Sequence, residues 1–446
     1  MVLAAVALAV SAGRRDERVA AAPADARRAA TPLLSPRRLP YVFTDEVARL
    51  RLQDSLSAFA ARFGPDVCIA VDDADPGDGL LAGVNPKAAL APASTIKLLT
   101  GAAALAVFGP DHVFTTRVLL DGDTLSLVGG ADPLLTTPEY EARLQANPNT
   151  EASPITPLAQ LADDTARALR ERGIVRLASV VGDGSRHDDV DFLPGWRESY
   201  RDDIGPLGAL AVDDGLEPGG RAAAAAAAAA SRFAALLAER GITVDGVSTG
   251  RAPVGAREIA AIPSPTLATI VAAMLTSSDN FTAEMLLREI GLARAGAGTT
   301  AAGAAATVDV LADLGVPTGG LVIRDGSGLH PDNRVACETL LAVLRLPGPR
   351  FDALDDGLAV AARTGTLRTR VPPDDPLAGV LRAKTGQIRG VASLAGIVDD
   401  AEELRFAFES AGAFSTSEGN AYQARVARLV AAYPEAPPAP ELVPAP

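Results

Sequence analysis

Apolar residues in the first quarter of the chain form two runs of different length. Residues 67–71 are a short apolar run bounded by Pro65 and Asp72, which predicts a buried strand. Residues 92–108 are apolar on nearly every side and stop at Gly109-Pro110. This second pattern predicts a core helix that begins close to Pro92.

The rest of the chain mixes strand and helix patterns. It predicts strands over residues 115–127, at 180–181, as a pair within 379–398, and over 404–408. It predicts helices over residues 159–172, 221–241, 265–275 and 280–290, and the second of these contains nine consecutive alanines at 222–230. No internal repeat of about 20–50 residues is visible, which excludes solenoids and propellers.

The composition is that of an acidic globular protein. Of 446 residues 48% are hydrophobic, and 41 Lys and Arg against 55 Asp and Glu give a net charge of −14. The hydrophobic content is sufficient for a core, and the negative charge argues against a nucleic-acid partner. His112, His187 and His330 lie far apart and no HExxH pattern occurs, so we expect neither a metal nor a cofactor.

The two cysteines, Cys68 and Cys337, are too few for a disulfide scaffold. Cys68 lies inside the first apolar run, and we expect it to be a small buried side chain. A disulfide with Cys337 in an oxidising compartment is the alternative, which we do not expect.

The N-terminus matches part of an export signal. Residues 1–10 are apolar and are followed by small residues, but the run is too short to cross a bilayer, which takes about 20 residues. Basic residues follow the run instead of preceding it, so a plain apolar tail is the alternative. We expect an extracytoplasmic protein, associated with a membrane only if this segment acts as an anchor.

A possible nucleophile lies at the start of the predicted core helix, in Ser94-Thr95-Ile96-Lys97. Residues three apart share a helix face, so Lys97 can reach the Ser94 hydroxyl. A serine becomes a nucleophile when a base takes its proton, and a lysine can be that base if burial lowers its pKa. The simpler interpretation is a capping serine with an exposed lysine, but the apolar surroundings disfavour it.

Two further motifs could complete a site. Ser278-Asp279-Asn280 joins two predicted helices, where a hydroxyl could relay a proton and an amide could bind a substrate carbonyl. The simpler interpretation is helix capping, since all three residue types are common N-caps.

The last motif, Lys384-Thr385-Gly386, lies on a predicted strand. The glycine would leave room for a substrate peptide beside the strand, and Lys384 and Thr385 could hold a carboxylate. The simpler interpretation is a strand with a solvated lysine.

Together, the order S-x-x-K, S-D-N, K-T-G is the signature of penicillin-binding proteins and class A β-lactamases. The chain resembles the peptidase S13 family, the D-alanyl-D-alanine carboxypeptidases/endopeptidases that are class C low-molecular-mass penicillin-binding proteins. The matching segments are residues 92–101, 127–135, 181–183, 196–200, 209–213, 325–329, 333–334 and 383–387.

The resemblance implies an α+β fold of the penicillin-binding/serine β-lactamase-like transpeptidase type. Its antiparallel five-stranded sheet is flanked by helices, and a smaller domain is inserted between the first two motifs. We therefore expect a signal or anchor-like segment with a linker (1–39), a discontinuous catalytic domain (40–112 plus 262–433), an inserted domain (113–261) and a Pro-rich tail (434–446).

The resemblance also implies roles for the motif residues in hydrolysing peptidoglycan stem peptides. Ser94 would attack the penultimate D-Ala carbonyl, Lys97 would take its proton, and Ser278 would pass a proton to the leaving group. The like charge of Lys384 would help burial to keep Lys97 neutral.

Substrate binding would fall to the neighbouring groups. Asn280 would orient the substrate amide, and Lys384 and Thr385 would bind the terminal carboxylate. The backbone N–H groups of Ser94 and Gln387, next to Gly386, would stabilise the oxyanion. β-Lactam antibiotics would act as inhibitors.

The chain departs from the family pattern in three places. Gln387 stands where a Thr usually follows K-T-G, Ala362 stands where Gly is usual, and residues 406–410 are more polar than expected. The alternatives are a β-lactamase or esterase on the same fold, or a non-catalytic envelope scaffold. The three intact motifs argue against a scaffold.

Overall fold

A computed structural model describes residues 39–73, 79–146, 153–202, 204–217, 220–400 and 402–435. Its helices are α1 (Leu39–Ala60), α2 (Lys97–Phe108), α3 (Pro138–Ala146), α4 (Leu158–Arg170), α5 (Ala225–Glu239), α6 (Leu267–Ser277), α7 (Asn280–Ala295), α8 (Thr300–Asp313), α9 (Cys337–Leu344), α10 (Asp352–Asp356) and α11 (Thr416–Ala431). Its strands are β1 (Val67–Asp73), β2 (Ala82–Val84), β3 (Ala89–Leu90), β4 (Thr115–Asp121), β5 (Thr124–Val128), β6 (Leu135–Thr136), β7 (Thr156–Pro157), β8 (Arg176–Leu177), β9 (Ser179–Asp183), β10 (Leu216–Glu217), β11 (Gly220–Arg221), β12 (Thr243–Val244), β13 (Val247–Thr249), β14 (Arg257–Pro263), β15 (Val335–Ala336), β16 (Ala359–Val360), β17 (Leu381–Ile388), β18 (Val391–Asp399) and β19 (Glu403–Ala411).

The main sheet has the order β16-β17-β18-β19-β1-β2, and all its neighbouring strands are antiparallel. The strands predicted over residues 67–71, within 379–398 and over 404–408 are its long members. Six strands are present where five were expected, because the short β2 and β16 pair along its edges. The predicted α+β fold class is confirmed.

Helices cover both faces of this sheet. Cys68 and Ala70 of β1 face the core formed with α2, α6, α7, α8 and α9. Val67, Ile69 and Val71 face the opposite core, formed with α1 and α11. Side chains alternate along a strand, so a strand covered on both faces is apolar throughout, which explains the unbroken run at 67–71.

A second sheet lies within residues 115–263, in the order β13-β9-β5-β4-β14, with parallel pairing of β9 to both its neighbours. Its core, shared with α4 and α5, is formed by residues between Val118 and Ile262. These features support our proposal of an inserted domain at 113–261, although β14 continues to Pro263. Contacts group residues Val47–Pro446 into one unit and Met1–Glu46 into another.

The chain ends are described only in part. Of the predicted segment 1–39 only Leu39 is described, where α1 begins, and of the tail 434–446 only residues 434 and 435 are described. Within the described residues, no helix has the length and apolar character required to span a membrane.

Several helix boundaries differ from the predicted ones. The helix predicted from Pro92 begins as a 3-10 turn, Ala93–Ile96, before α2 starts at Lys97. The alanine-rich helix starts at Ala225, because Gly220 and Arg221 form β11 and Ala224 is extended. Helices α1, α3, α8, α9, α10 and α11 were not predicted.

The expectation of an unpaired Cys68 is wrong, because a disulfide joins it to Cys337 with a Cα–Cα distance of 5.9 Å. Cys68 lies on the face of β1 against which α9 packs, and Cys337 is the first residue of α9. The two cysteines are 269 residues apart, so only the tertiary packing brings them together. Structural disulfides are typical of oxidising compartments.

The polar segment at residues 406–410 lies in the interior. Glu409 of β19 is fully buried, with Oε2 3.8 Å from the Cys68 sulfur. Burial raises the pKa of Glu409 well above its ordinary value. Ala362 has a φ of 60°, the left-handed conformation that favours Gly, so the Gly that the resemblance leads one to expect would fit this position without strain.

Removing the disulfide should reduce stability. We expect Cys68→Ala/Cys337→Ala to lower the free energy of unfolding by about 2–5 kcal/mol in denaturant titrations, because the unfolded chain regains freedom over a long loop. Adding reductant during unfolding should shift the wild-type midpoint in the same direction and leave the double variant unmoved. An unchanged wild-type midpoint would contradict the pairing.

Candidate active site

Two glycines hold the turn that carries Ser94. A Cβ on Gly328 would lie 2.0 Å from the Ala93 carbonyl oxygen, and a Cβ on Gly386 would lie 2.6 Å from the Pro92 carbonyl oxygen. Ala93 itself has a φ of 46°. The sequence interpretation assigned Gly386 to making room for substrate, but in the structure the turn with Ser94 occupies that space.

Lys97 is fully buried and contacts three oxygen atoms. Its Nζ lies 2.9 Å from Ser94 Oγ, 2.8 Å from Asn280 Oδ1 and 2.6 Å from the Ser327 carbonyl oxygen. A neutral amine has two N–H groups and one lone pair, so it can donate to Asn280 and Ser327 and accept the proton of Ser94. The arrangement therefore suits a general base.

The electrostatic environment brings the pKa of Lys97 close to neutral pH. Burial lowers this pKa from 10.5 to about 8, while the negative charges of Asp279, Asp325 and Glu284 oppose that shift. Lys97 is therefore partly neutral around pH 8, as a base must be.

Lys384 is the second buried amine, and it pairs with Ser278 instead of Ser94. Its Nζ lies 2.8 Å from Ser278 Oγ and 2.8 Å from the Thr385 carbonyl oxygen. Burial, then the charges of Lys97 and Arg370, hold the pKa of Lys384 well below its ordinary value. Lys97 differs from Lys384 in its acidic neighbours, Asp279, Asp325 and Glu284, whose charges oppose the lowering of its pKa.

The S-D-N segment divides its three residues between two helices. Ser278 ends α6 with a φ of 65°, and Asp279 caps α7 by accepting the Thr282 N–H at 2.9 Å. Asn280 is the first residue of α7, and its Oδ1 accepts from Lys97. The capping interpretation therefore holds for Asp279, while Ser278 and Asn280 each contact one of the two buried lysines.

The strand β17 places Thr385 and Gln387 beside the cleft. Thr385 Oγ1 donates to Thr366 Oγ1 at 2.9 Å, so Thr366 supplies a second hydroxyl that the sequence interpretation missed. The Gln387 side chain donates to the Thr416 carbonyl at 2.6 Å and anchors α11.

Backbone N–H groups are arranged as a candidate oxyanion hole. The Gly386 carbonyl accepts from Gln423 Nε2 at 2.9 Å, and in a trans peptide the next N–H points the opposite way. The Gln387 N–H is therefore directed away from Gln423. A Cβ on Gly386 would lie 3.0 Å from the Ser94 nitrogen, so the strand just before Gln387 packs closely against Ser94.

The loop at residues 325–329, one of the segments that carry the family resemblance, reaches the site itself. Its Ser327 carbonyl is an acceptor for Lys97, and Glu284 Oε1 fixes it by accepting the N–H groups of Gly326 and Ser327 at 2.9 and 2.8 Å. Asp325 accepts the Trp196 indole N–H at 2.7 Å. The sequence could not reveal the Ser327 carbonyl as an acceptor, because a backbone group has no side-chain signature. Glu284, an acidic residue one turn after Asn280 in an apolar helix, was the available signal of a buried polar contact.

The side chains of Ser94, Ser278 and Asn280 line an open cleft of about 840 Å³. The cleft also includes Arg370, which contacts Asn420 and Gln423 at 3.1 and 3.3 Å and was not predicted. As for metals, the described residues bring Cys68, Cys337 and Glu409 within ligand distance of one another, but the two sulfurs are joined as a disulfide.

Comparison with known proteins gives concordant matches. Residues 53–218 and 208–433 match the D-Ala-D-Ala carboxypeptidase 3 (S13) family. A carboxypeptidase of Mycobacterium tuberculosis is 31% identical over 382 residues, which cover 78% of this chain and 79% of that protein. The D-alanyl-D-alanine carboxypeptidase of Actinomadura sp. strain R39 is 31% identical, with 72% and 73% covered.

Solved structures match the fold. Penicillin binding protein 4 of Haemophilus influenzae superposes with a TM-score of 0.67 at 20% identity, covering 84% of this chain and 99% of that one. A predatory endopeptidase of Bdellovibrio bacteriovorus has a TM-score of 0.51 at 17% identity, with 82% and 91% covered.

The acidic neighbours of Lys97 predict the pH dependence of its reaction. The rate at which an acyl donor modifies the protein should rise with pH through a midpoint near pH 8, where half of the amine is neutral, and level off at higher pH. Burial raises the pKa of Glu284 to about 8, so the charge that raises the pKa of Lys97 is partly present in this range. Glu284→Gln keeps an acceptor oxygen for the loop and removes that charge, so the profile should move modestly to lower pH. Stopped-flow acylation between pH 5 and 10 measures both.

A matched control removes the same charge from an exposed position of α5, in Glu239→Gln, and should leave the profile in place. A wild-type rate that does not change with pH, or an unshifted profile in Glu284→Gln, would contradict the assignment of Lys97 and its neighbours.

Proposed function

The chain belongs to the D-Ala-D-Ala carboxypeptidase 3 (S13) family and is a serine-type D-Ala-D-Ala carboxypeptidase, and we propose that Ser94 is its nucleophile. The observation that carries this assignment is the contact of the buried Lys97 amine with Ser94 Oγ at 2.9 Å. The other buried amine of the site, Lys384, contacts the Ser278 hydroxyl and one backbone carbonyl, whereas Lys97 contacts Ser94 and two further acceptors. Ser94 and Lys97 therefore form the reacting pair.

In acylation, Ser94 Oγ attacks the carbonyl carbon of the penultimate D-Ala while its proton moves to Lys97 Nζ. The resulting ammonium has three N–H groups, and it finds three acceptors in Ser94, Asn280 and the Ser327 carbonyl. The site thus satisfies Lys97 in both protonation states without rearrangement. The N–H groups of Ser94 and Gln387 stabilise the oxyanion, an effect of about 10²–10³ in rate per donor.

Breakdown of the tetrahedral intermediate requires a proton on the leaving amine of the terminal D-Ala. Ser278 supplies it and is reprotonated by the proton that Lys97 took from Ser94, so Lys97 is neutral again before deacylation. Lys384 holds the Ser278 hydroxyl in place at 2.8 Å. Water then hydrolyses the Ser94 ester, with Lys97 taking the proton of the water. The D-Ala leaves first and the shortened peptide second.

The terminal carboxylate binds where hydroxyls and positive charge converge. Thr385 and Thr366 present adjacent hydroxyls. Arg370 lies close enough to Lys384 for its positive charge to lower the pKa of that amine. Lys384 donates to Ser278 and the Thr385 carbonyl, and a bound carboxylate favours the charged form that burial opposes. Asn280 keeps its amide N–H₂ for a substrate carbonyl because its oxygen accepts from Lys97.

The substrates are peptidoglycan stem peptides, so the enzyme works at the cell envelope. The Cys68–Cys337 disulfide supports a location outside the cytoplasm, reached through the N-terminal segment as an export signal. β-Lactams acylate Ser94 because their strained amide occupies the position of the scissile bond. Cross-linked peptides are substrates too when their leaving strand carries the equivalent carboxylate.

We expect Ser94→Ala to release no D-alanine from an N-acylated D-Ala-D-Ala peptide and to form no covalent adduct with a fluorescent penicillin. Ser199→Ala, a variant of another serine that lines the cleft, serves as the control and should retain both reactions. Matching melting temperatures show that the fold is kept. Labelling of Ser94→Ala, or a lack of D-alanine release by the wild type, would contradict the proposal.

A further inference from the structure

A buried apolar cluster joins the segment at residues 113–261 to the two elements that supply acceptors to the catalytic base. Trp196 of that segment packs there with Phe281 and Met285 of α7 and with Leu329. Helix α7 begins with the side-chain acceptor of the base, and Leu329 ends the loop that provides its backbone acceptor. The inserted segment therefore supports both acceptors from outside the reacting pair.

Trp196 adds a polar contact to this packing. Its indole N–H donates to Asp325 Oδ2 at 2.7 Å, and both side chains are buried, Asp325 completely. The same oxygen accepts the His330 N–H at 2.6 Å. The other carboxylate oxygen accepts the Gly328 N–H at 2.9 Å and the Asn333 side chain at 2.7 Å. Asp325 thus connects Trp196 to the backbone of its own loop.

The loop is held from three directions around the Ser327 carbonyl. Thr100 of α2 donates to the Gly326 carbonyl at 3.0 Å. Glu284 of α7 accepts the N–H groups of Gly326 and Ser327. These two contacts come from the helices that carry the base and its side-chain acceptor, whereas the contact of Trp196 comes from the inserted segment.

Packing does not account for the polar atom of Trp196. The side chains that surround its ring in the cluster, Phe281 and Leu329 among them, are apolar. A hydrogen bond to a buried carboxylate is one of the stronger contacts in a protein, because the acceptor is charged. The indole N–H therefore has a specific task, which is to fix Asp325 and the loop that Asp325 anchors.

We propose that Trp196 is a positioning residue that holds the Ser327 carbonyl against Lys97 through Asp325. This inference rests on the proposed function, since it requires Lys97 to be the base. It gives the inserted segment a part in the reaction: the segment touches neither the nucleophile nor the base in this role, but keeps an acceptor of the base in place.

A loosened loop has a characteristic effect on the base. The Ser327 carbonyl lies 2.6 Å from Lys97 Nζ, and it stabilises the ammonium more than the neutral amine because a charged donor makes the stronger hydrogen bond. Displacing the carbonyl therefore lowers the pKa of Lys97 and makes it a weaker base for the proton of Ser94. A purely structural role would reduce the amount of active protein and leave the pH midpoint unchanged.

The test is Trp196→Phe, which keeps an aromatic ring in the cluster and removes the N–H. Stopped-flow acylation by a penicillin between pH 5 and 10 measures the plateau rate and the pH midpoint. We expect a plateau about three- to tenfold below that of the wild type. We expect the midpoint to lie about 0.5–1 pH unit lower.

Phe192→Leu is the matched control. The Phe192 ring packs edge-on against Trp196, with 5.2 Å between ring centroids, so this variant loosens the same segment and keeps the indole N–H. Its midpoint should equal that of the wild type. A second variant places β-(3-benzothienyl)alanine at position 196, the only tryptophan of the chain, so that sulfur replaces the N–H in a ring of the same shape. It should show the lowered midpoint even if Trp196→Phe does not fold.

An unmoved or raised midpoint in a folded variant without the indole N–H would overturn the inference, as would an equal shift in Phe192→Leu. Penicillin labelling of the wild type separates the two proposals. Intact labelling with an unmoved midpoint in the variants removes only this inference, whereas absent labelling removes the proposed function.

Discussion

Burying the amine of Lys97 in the core is the constraint around which the site is organised. An isolated ammonium in an apolar interior is costly, so the protein must either pair it or let it lose its proton. The structure combines the two. Three oxygens contact the amine and three acidic groups lie nearby, which favours the ammonium, while complete burial lowers the pKa to about 8. The same balance that makes Lys97 tolerable in the fold makes it useful as a base.

Three distant segments have to meet for this to work. The 3-10 turn before α2 supplies Ser94, the start of α7 supplies Asn280, and the loop held by Glu284 supplies the Ser327 carbonyl. Gly328 and Gly386 allow the backbone segments to approach closely, because a Cβ at either position would collide with the turn. Stability and catalysis share the same contacts here, so variants of these supporting residues will affect both.

Local features of this chain could be predicted from sequence. The 67–71 strand followed from one apolar run, and the Ser94–Lys97 contact followed from helical spacing. The resemblance to a known family supplied the roles of Ser278, Asn280 and Lys384, which spacing alone left open.

Other features depend on tertiary packing, and no local pattern reveals them. The Lys97–Ser327 contact spans 230 residues and ends on a backbone carbonyl, and the disulfide spans 269 residues. The charge balance also needed the structure, since Asp279, Asp325 and Glu284 surround Lys97 only after folding.

The protonation state of Lys97 can be observed directly, because the chain contains only three lysines, Lys87, Lys97 and Lys384. Lysine labelled with ¹³C at the ε position gives one NMR signal for each, assigned with Lys87→Arg and Lys97→Arg. A pH titration of the uninhibited protein should show the Lys97 signal changing with a midpoint near pH 8. A midpoint near the ordinary value of 10.5 would mean that Lys97 stays charged where the enzyme works, and the proposed base would be wrong.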